Sequence, residues 1–582
     1  MYIIGINAFH ADSAACLLAD GKLITAVEEE RFNRIKHWAG FPIESIKYCL
    51  KKSNLKLSDI HHISINIDPQ ANYLRKLLFV LKNRPSYKLI LNRLKNKSKY
   101  NLIDEILKKE FKSEKFNGEI NNIEHHYAHL SSAFHVSPYD KACLLSVDGF
   151  GDFASTAWGY GEGSKIKISN KIFFPHSLGI FYQSITQFLG FKNYGDEYKI
   201  MGLAPYGKPN YVDKLKKILL LKKNGNYSLN LDYFKFHKEN FNYRWDNGKV
   251  EIDDLYNNKI NILLGNERKK DEILTDFHKD LACSTQKLYE EAFINILNNL
   301  HKKYKNENLC LAGGCGMNSV ANGKIKNNTN FKNIFIQAAA GDAGGAIGAA
   351  FATHFKKTDS KRNFQMKHAY WGTSFNDKEI LECLEKNNKN IEDQSCNYKK
   401  ISNNNELNQL VSKDISEGKV VGWFQGNMEW GPRALGNRSI LGDPRRRDMK
   451  DILNKKIKRR ESFRPFAPSI LREYVAEWFE NDDEVPFMMK VYQIKKSKRN
   501  DIPAVTHVDG SGRLQTVYEE TNKKYYDLIT EFHKITNIPL ILNTSFNENE
   551  PIVSTPEEAL NCFLRTKMDT LVLGNYLLKR SN

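Results

Sequence analysis

Two stretches of this 582-residue chain carry the same cadence of apolar and polar positions. The first runs from Tyr2 to Ile6, through a polar turn at Asn7 to Asp12, then Ser13 to Leu18, the tight turn Asp20-Gly21, and Leu23 to Val27. The second runs from Ala142 to Val147, through a turn at Asp148 to Asp152, then Ala154 to Gly159, a turn at Gly161 to Gly163, and on from Ile166. Short apolar runs bounded by Gly, Asp and Asn predict strands joined by hairpins. Their shared order and spacing, each copy being followed by helical sequence, predict an internal duplication.

A strand, a turn bearing histidine or acid, a hairpin and then helices, twice over, is the plan of actin-like, ribonuclease-H-like α/β folds, which hold nucleotide and metal between two related halves. Further along, Leu309 to Gly316 reads as a buried parallel strand entering a glycine turn at Gly313-Gly314. Ile334 to Ala340 reads as a strand running into Gly341-Asp342-Ala343-Gly344-Gly345 and a small-residue helix from Ala346 to Ala352. Small residues permit close backbone approach, and a helix start offers free N–H groups to a phosphate, although for each Gly-rich turn taken alone a structural turn is the favoured reading. The first domain is therefore placed at residues 1–355, with insertions at about 74–115 and 209–266. A polar linker covers 356–366, and a strand-rich α/β domain follows over 367–582.

Composition adds limits. Apolar residues at 41% and charged residues at 27% describe an ordinary globular chain, too long for one core. No apolar run approaches 18 residues and no basic leader precedes Tyr2, so the expected location is cytoplasmic, with no membrane partner. Nine cysteines without a CxxC pair argue against a disulfide framework and a zinc ribbon. The net charge of +19 is spread through Lys-, Asn- and Ile-rich sequence. Its densest patch, Leu74 to Lys115, has helical spacing and reads as the solvated faces of amphipathic helices rather than a phosphate-backbone groove, so nucleic acid is not expected as a partner.

Candidate chemistry lies in two places. His125 and His129 in His125-His126-Tyr127-Ala128-His129 stand at i and i+4, one helical turn apart on one face. With carboxylates such as Asp148 and Asp342 they would make a nitrogen and oxygen site suited to iron, manganese or zinc; packing and capping at a helix start is the alternative. In the later domain the stretch Gly426 to Arg438, then Lys458, Arg459, Arg460, Arg464 before Pro465, His507, and Arg513 after Gly510-Ser511-Gly512, include arginines framed by Gly and Pro in turns, as cations placed to grip a compact oxyanion are.

Taken in order, a set of motifs makes a resemblance. They are His10 with Ser13-Ala14-Ala15, Glu28-Glu29-Glu30-Arg31-Phe32, His125 to His129, Gly195-Asp196-Glu197-Tyr198-Lys199-Ile200-Met201-Gly202-Leu203, Gly313-Gly314, Gly341-Asp342-Ala343-Gly344, Glu429 to Arg438, Phe463-Arg464-Pro465-Phe466-Ala467-Pro468, and Asn543-Thr544-Ser545-Phe546-Asn547. Over nearly its whole length the chain resembles the O-carbamoyltransferases of the nodulation-factor and aminoglycoside or cephalosporin type. The resemblance implies an actin-like N-terminal domain similar to the tRNA threonylcarbamoyl transferase, joined to a C-terminal YrdC-like α/β domain. It implies that the C-terminal domain forms carbamoyl adenylate from carbamoyl phosphate and ATP, with Mg accompanying the ATP, and that Arg433, Lys458, Arg464, Arg513, Asn543 and Ser545 contact these substrates. It implies further that the N-terminal domain passes the carbamoyl group to a hydroxyl of a small-molecule acceptor, a sugar first of all.

In that N-terminal domain the resemblance assigns a divalent metal, iron first, to His125, His129, Asp148 and Asp342, and adenylate contacts to Gly313, Gly314, Asn318 and Lys199. His10 falls on the position of the general base, where a neutral imidazole can take a proton near neutral pH. The order His10-Ala11-Asp12 departs from the commoner His-Asp pair and leaves the role of Asp12 open. A homodimer is compatible with the resemblance. The rival readings are a tRNA threonylcarbamoyl-adenosine enzyme and a nucleotide-binding scaffold without turnover. The hydrogenase-maturation carbamoyltransferase carries an acylphosphatase domain and CxxC zinc fingers that this sequence lacks.

Overall fold

The structure is a computed structural model, and it describes residues 1–88, 102–112, 114–239, 243–244, 248 and 250–580. The chain divides into two compact units, one of Met1–Glu30 with Ile35–Met366, the other of Arg31–Arg34 with Lys367–Asn582.

In the first unit, strands β1 (Tyr2–Asn7), β2 (Ala14–Ala19), β3 (Lys22–Glu28), β4 (His62–Ile65) and β5 (Glu119–Asn122) form a sheet in the order β3-β2-β1-β4-β5. Strands β6 (Lys141–Gly151), β7 (Ala154–Glu162), β8 (Lys165–Phe173), β9 (Asn308–Ala312) and β10 (Asn333–Ile336) form another, in the order β10-β9-β6-β7-β8. In each sheet the first three strands pair antiparallel and the last two join in parallel. The two sheets thus match strand for strand, and the duplication extends beyond the hairpins seen in the sequence to the crossover strands. β1 is apolar at four of its six positions and buried from Ile3 to Asn7, as a central strand covered on both faces must be.

One expectation changes. Asp148 does not open a turn: β6 runs on to Gly151, with its register broken between Val147 and Gly151, and Asp152 and Phe153 make the reversal at positive φ. A bulge of this kind lets a strand re-aim a side chain without ending.

The first insertion contributes helix α1 (Tyr73–Asn83) and a short helix Ile103–Glu110; Arg93, Lys95, Lys97 and Lys99 of the basic patch lie outside the described residues. The second, expected to be polar surface or a cap, has a core of its own among its described residues, with Tyr227, Phe234, Phe236, Leu255 and Tyr256 buried. Phe236 packs on Phe174, and the Tyr227 hydroxyl lies 2.7 Å from Thr156 Oγ1, so this stretch is tied to β7 rather than solvated.

After β5 comes α2 (His125–Phe134), and after β10 comes α4 (Gly344–Thr358), with α3 (Asp276–Tyr304) before β9. α2 and α4 hold equivalent places in the two copies and press against each other. A Cβ on Gly348 would stand 1.8 Å from the Ala128 carbonyl oxygen, and one on Gly5 of β1 would stand 2.0 Å from the Ala346 carbonyl oxygen. Glycine is required at both points because two backbones meet there.

The second unit is a nine-stranded mixed sheet in the order β11-β19-β18-β12-β13-β17-β14-β16-β15. Its strands are β11 (Cys396–Lys400), β12 (Val421–Phe424), β13 (Arg438–Gly442), β14 (Ala467–Leu471), β15 (Lys490–Gln493), β16 (Ser511–Val517), β17 (Leu540–Ser545), β18 (Thr570–Leu573) and β19 (Tyr576–Arg580). Helices α5 (Asn404–Ser416), α6 (Lys523–Thr536) and α7 (Pro556–Arg565) add apolar faces to its core, around Trp423, Tyr525, Phe532 and Phe563. Arg31–Arg34 group with this unit: Arg34 Nη1 sits 3.0 Å from Glu558 Oε2, and Arg31 Nη2 donates to the Gly431 carbonyl at 3.0 Å.

Candidate active site

α2 begins at His125. The Glu124 side chain accepts from Tyr127 N–H, and the His125 N–H donates to Asp152 Oδ2 at 2.8 Å, so two of the orphan donors of the first turn are satisfied. One turn on, His129 lies on the same face, and the two Nε2 atoms stand 3.0 Å apart. Asp148, aimed by the β6 bulge, brings Oδ2 to 3.0 Å from His125 Nε2 and 3.2 Å from His129 Nε2. Its other oxygen accepts from Gly314 N–H at 3.0 Å, which makes Gly314 an orienting contact of a carboxylate. Gly313 holds φ at +88°, and a Cβ there would meet the Val147 carbonyl oxygen at 2.2 Å. Asp342, just before α4, completes the group with Oδ1 at 3.4 Å from His129 Nε2 and 3.7 Å from His125 Nε2.

The charges are mutually adjusted. Burial opposes ionisation of Asp148, yet the two imidazoles hold its carboxyl well below the usual carboxylate range. Burial and Asp148 push Asp342 up, but His10 and His129 hold it down at about 2. Burial pulls His129 down, and hydrogen bonding to Asp148 and Asp342 more than offsets this, lifting it to about 9. Two nitrogen and two oxygen donors within 4.8 Å of one another thus crave shared positive charge. Asp342 Oδ1 is buried and, apart from His129 Nε2 at 3.4 Å, has no hydrogen-bond partner among the described residues. That donor set fits a divalent first-row cation.

His10 stands beside this group, its Nδ1 3.2 Å from Asp342 Oδ2. Asp342 therefore offers one oxygen to the cluster and the other to His10. The open question about Asp12 has an answer: its Oδ1 lies 2.7 Å from His37 Nδ1, not beside His10. Burial lowers His37, but Asp12 raises it to about 9. His126 faces away toward Ser146 Oγ at 2.9 Å, and burial brings it down to about 4, so it is neutral packing. Lys199 pairs with Asp196 at 3.0 Å, and Asn318 caps the helix Ser319–Gly323 while exchanging hydrogen bonds with Gln286.

In the second unit Arg513 on β16 is surrounded by like charge. Burial lowers its guanidinium well below the ordinary arginine value, and Arg433, Arg460 and Arg464 lower it further. Arg433 rides on a loop organised by buried Glu429, whose Oε1 accepts from the N–H groups of Leu435 at 2.7 Å and Asn437 at 2.8 Å. Lys458 Nζ donates to Ser545 Oγ at 3.3 Å and Asn547 Oδ1 at 2.7 Å, so Lys458 and Ser545, both expected as substrate contacts, lie together. Asn543 Nδ2 donates to the Ala434 carbonyl at 3.1 Å and to Gln515 Oε1 at 2.9 Å, which supports the Arg433 loop. Arg438 in the same motif is wholly buried against backbone carbonyls and the Phe424 ring.

In the sequence Asp152 was visible only as the end of a turn and Glu429 only as the first residue of a motif, while Arg460 stood among the candidate cations. The first two act on backbone N–H groups and leave no spacing signal; Arg460, third of the run Lys458-Arg459-Arg460, was legible only as local charge.

Comparison with known proteins adds the family. The chain is 40% identical over 615 aligned positions to a protein of Synechocystis sp., covering 100% of this chain and 97% of that one. It is 38% identical to the nodulation protein NolNO of Sinorhizobium fredii, over 99% of this chain and 80% of that one. Among solved structures, component A of the Acidaminococcus fermentans (R)-2-hydroxyglutaryl-CoA dehydratase aligns with a TM-score of 0.32 and 11% identity, over 61% of this chain and 98% of that one. Residues 2–351 match the carbamoyltransferase N-terminus model and residues 412–580 the carbamoyltransferase C-terminus model, so the chain belongs to the carbamoyltransferase family and is a carbamoyltransferase.

Proposed function

We propose that this carbamoyltransferase is ATP-dependent and works in two half-reactions. In the second unit, which we take as YrdC-like, carbamoyl phosphate, ATP and water give carbamoyl adenylate, phosphate and pyrophosphate. In the first unit, taken as actin-like, the carbamoyl group passes to a hydroxyl of a small acceptor, a sugar being the first candidate, and AMP leaves. The observation that carries the reading is the gathering of Arg433, Arg460 and Arg464 about half-buried Arg513, with Glu461 beside Arg464 at 3.7 Å as an acidic partner: such an excess of like charge is stabilised when an anion of several charges lies among the guanidinium groups. Carbamoyl phosphate beside a triphosphate is such an anion.

A divalent cation held by His125, His129, Asp148 and Asp342, iron first with manganese or zinc as alternatives, would supply Lewis-acid polarisation of a bound oxygen. The chain's own residues do the rest. With Nδ1–H donating to Asp342 Oδ2, His10 keeps a lone pair on Nε2, which is buried and without a protein partner among the described residues. Nε2 is then the atom that takes the acceptor's hydroxyl proton as the oxygen attacks the carbamoyl carbon. Gly314 N–H fixes Asp148, and Asp152 fixes the start of α2, so the histidines stay in place while the proton moves.

The test is to incubate the protein with carbamoyl phosphate and MgATP and to follow phosphate and pyrophosphate. Release of both, without threonine or bicarbonate, is the expected result. Release that required threonine and bicarbonate would instead support a tRNA-modifying enzyme, and no release from either mixture would support a scaffold.

A further inference from the structure

Helix α1 has no buried residue although it carries six large apolar side chains besides Phe79. Leu74 is 73% exposed, Leu78 57% and Leu81 66%, with Leu77, Val80 and Tyr73 also open to solvent. At about 100° per residue, Leu74, Leu77, Leu78 and Leu81 fall within an arc of about 100° on one side of the helix. The opposite side is the anchored one. There the Phe79 ring meets Phe174 at 4.9 Å and Phe153 at 5.7 Å, Arg75 lies 4.9 Å over the Phe173 ring, and Lys76 Nζ donates to the Pro69 carbonyl at 3.2 Å. The outward face is therefore fixed by packing from behind, and it is far more apolar than a soluble surface tolerates without a use.

Charge selects the occupant. Residues 73–88 hold Arg75, Lys76, Lys82, Arg84 and Lys88 and no acidic residue. Lys82 projects at about 80° from Leu74, along one border of the leucine face, and Arg75 at about 100°, where that border meets the anchored side; Lys76, at about 160°, belongs to the anchored side. An apolar stripe bordered by cations is the pattern of a helix that lies in the headgroup region of an anionic bilayer. A second copy of the chain fits worse, because two such faces would bring like charges together with no carboxylate in the stretch to pair them. We propose that α1 is a peripheral docking surface for anionic lipid, holding the first unit at a membrane without crossing it. The expectation of no membrane partner rested on the lack of a span, and at 11 residues α1 is too short to be one.

Co-sedimentation of the full chain with vesicles decides it. Phosphatidylglycerol–phosphatidylcholine vesicles should pellet the protein at low salt, and pure phosphatidylcholine vesicles should not. Leu74→Ser with Leu78→Ser, and separately Arg75→Glu with Lys82→Glu, should each weaken binding about tenfold or more, as loss of apolar insertion and of about 1 kcal/mol per surface cation predicts. Leu74 and Leu78 are exposed, so thermal unfolding of that double variant should be unchanged and a folding defect is separable from lost binding. Arg75→Glu also gives up its stacking on Phe173, so exposed Lys82→Glu alone is the charge variant to be read against an unchanged melting temperature. Absence of binding to the anionic vesicles, or binding that neither double variant weakens, overturns the proposal. So does a light-scattering dimer abolished by Leu74→Ser with Leu78→Ser, which would give the face to a second copy.

Discussion

At the scale of single residues the cluster in the first unit behaves as a proton store that a cation would replace. His129 is raised from 6.5 to about 9 in the folded chain, so its stabilising contribution is complete below pH 6.5 and is lost as pH climbs through 9. Asp342 is depressed from 3.8 to about 2, so its contribution is present above 3.8 and is lost as pH falls through 2. These two groups make the metal-free chain most stable between pH 3.8 and 6.5, and scanning calorimetry across pH 3 to 10 should find falling stability toward pH 9. A divalent cation must displace the His129 proton, so its affinity measured by titration calorimetry should rise with pH, by up to about tenfold per unit, and level off above 9. The arginine cluster makes the complementary case. Arg513→Met removes a half-buried cation from among like charges and should leave unliganded stability unchanged or raised. Pyrophosphate at about a hundred times its dissociation constant should stabilise the parent by ~2.7 kcal/mol in thermal shift and the variant by far less.

Elements set the geometry on which those residues depend. α2 and α4 are duplicates of each other in position, and their contact at Gly348 and Ala128 determines how His125 and His129 face Asp342. Gly348→Ala would drive a methyl into a carbonyl 1.8 Å away, and the required separation of the helices should cost roughly 1–3 kcal/mol in denaturant unfolding. Gly151→Ala acts more locally, since its Cβ would stand 2.0 Å from the His125 ring. If the cluster holds a divalent cation as proposed, that variant should bind it far more weakly in titration calorimetry although His125, His129, Asp148 and Asp342 all remain. In the second unit the Glu429 carboxylate plays the organising part for the Arg433 loop, which is why a motif rich in arginine depends on one acid.

For the whole molecule, two units with separate charge patterns lead to separable failures. Asp342→Ala and His129→Ala should abolish carbamoyl transfer to an acceptor while leaving pyrophosphate release within about twofold of the parent. Arg464→Ala should stop pyrophosphate release itself. Assaying both half-reactions for all three variants checks the division of labour, and equal loss of both steps in every variant would contradict it. Mass spectrometry of hydroxylated sugars incubated with the chain, carbamoyl phosphate and MgATP would then identify the acceptor by a gain of one carbamoyl group.

What was legible in the chain itself was local and periodic. Alternating apolar runs determined the two hairpins; helical spacing put His125 and His129 on one face; glycine after an apolar run located the turns at Gly313 and Gly341. These features depend on neighbours a few residues apart, which is the range over which backbone periodicity acts. Tertiary structure alone decided which distant groups meet. It paired His10 with Asp342 across 332 residues and gave Asp12 to His37, kept β6 extended through Asp148, and took Arg31–Arg34 into the second unit. Which carboxylate serves which imidazole depends on the packing of α4 on β1 and α2, a relation among backbones that no spacing along the sequence records.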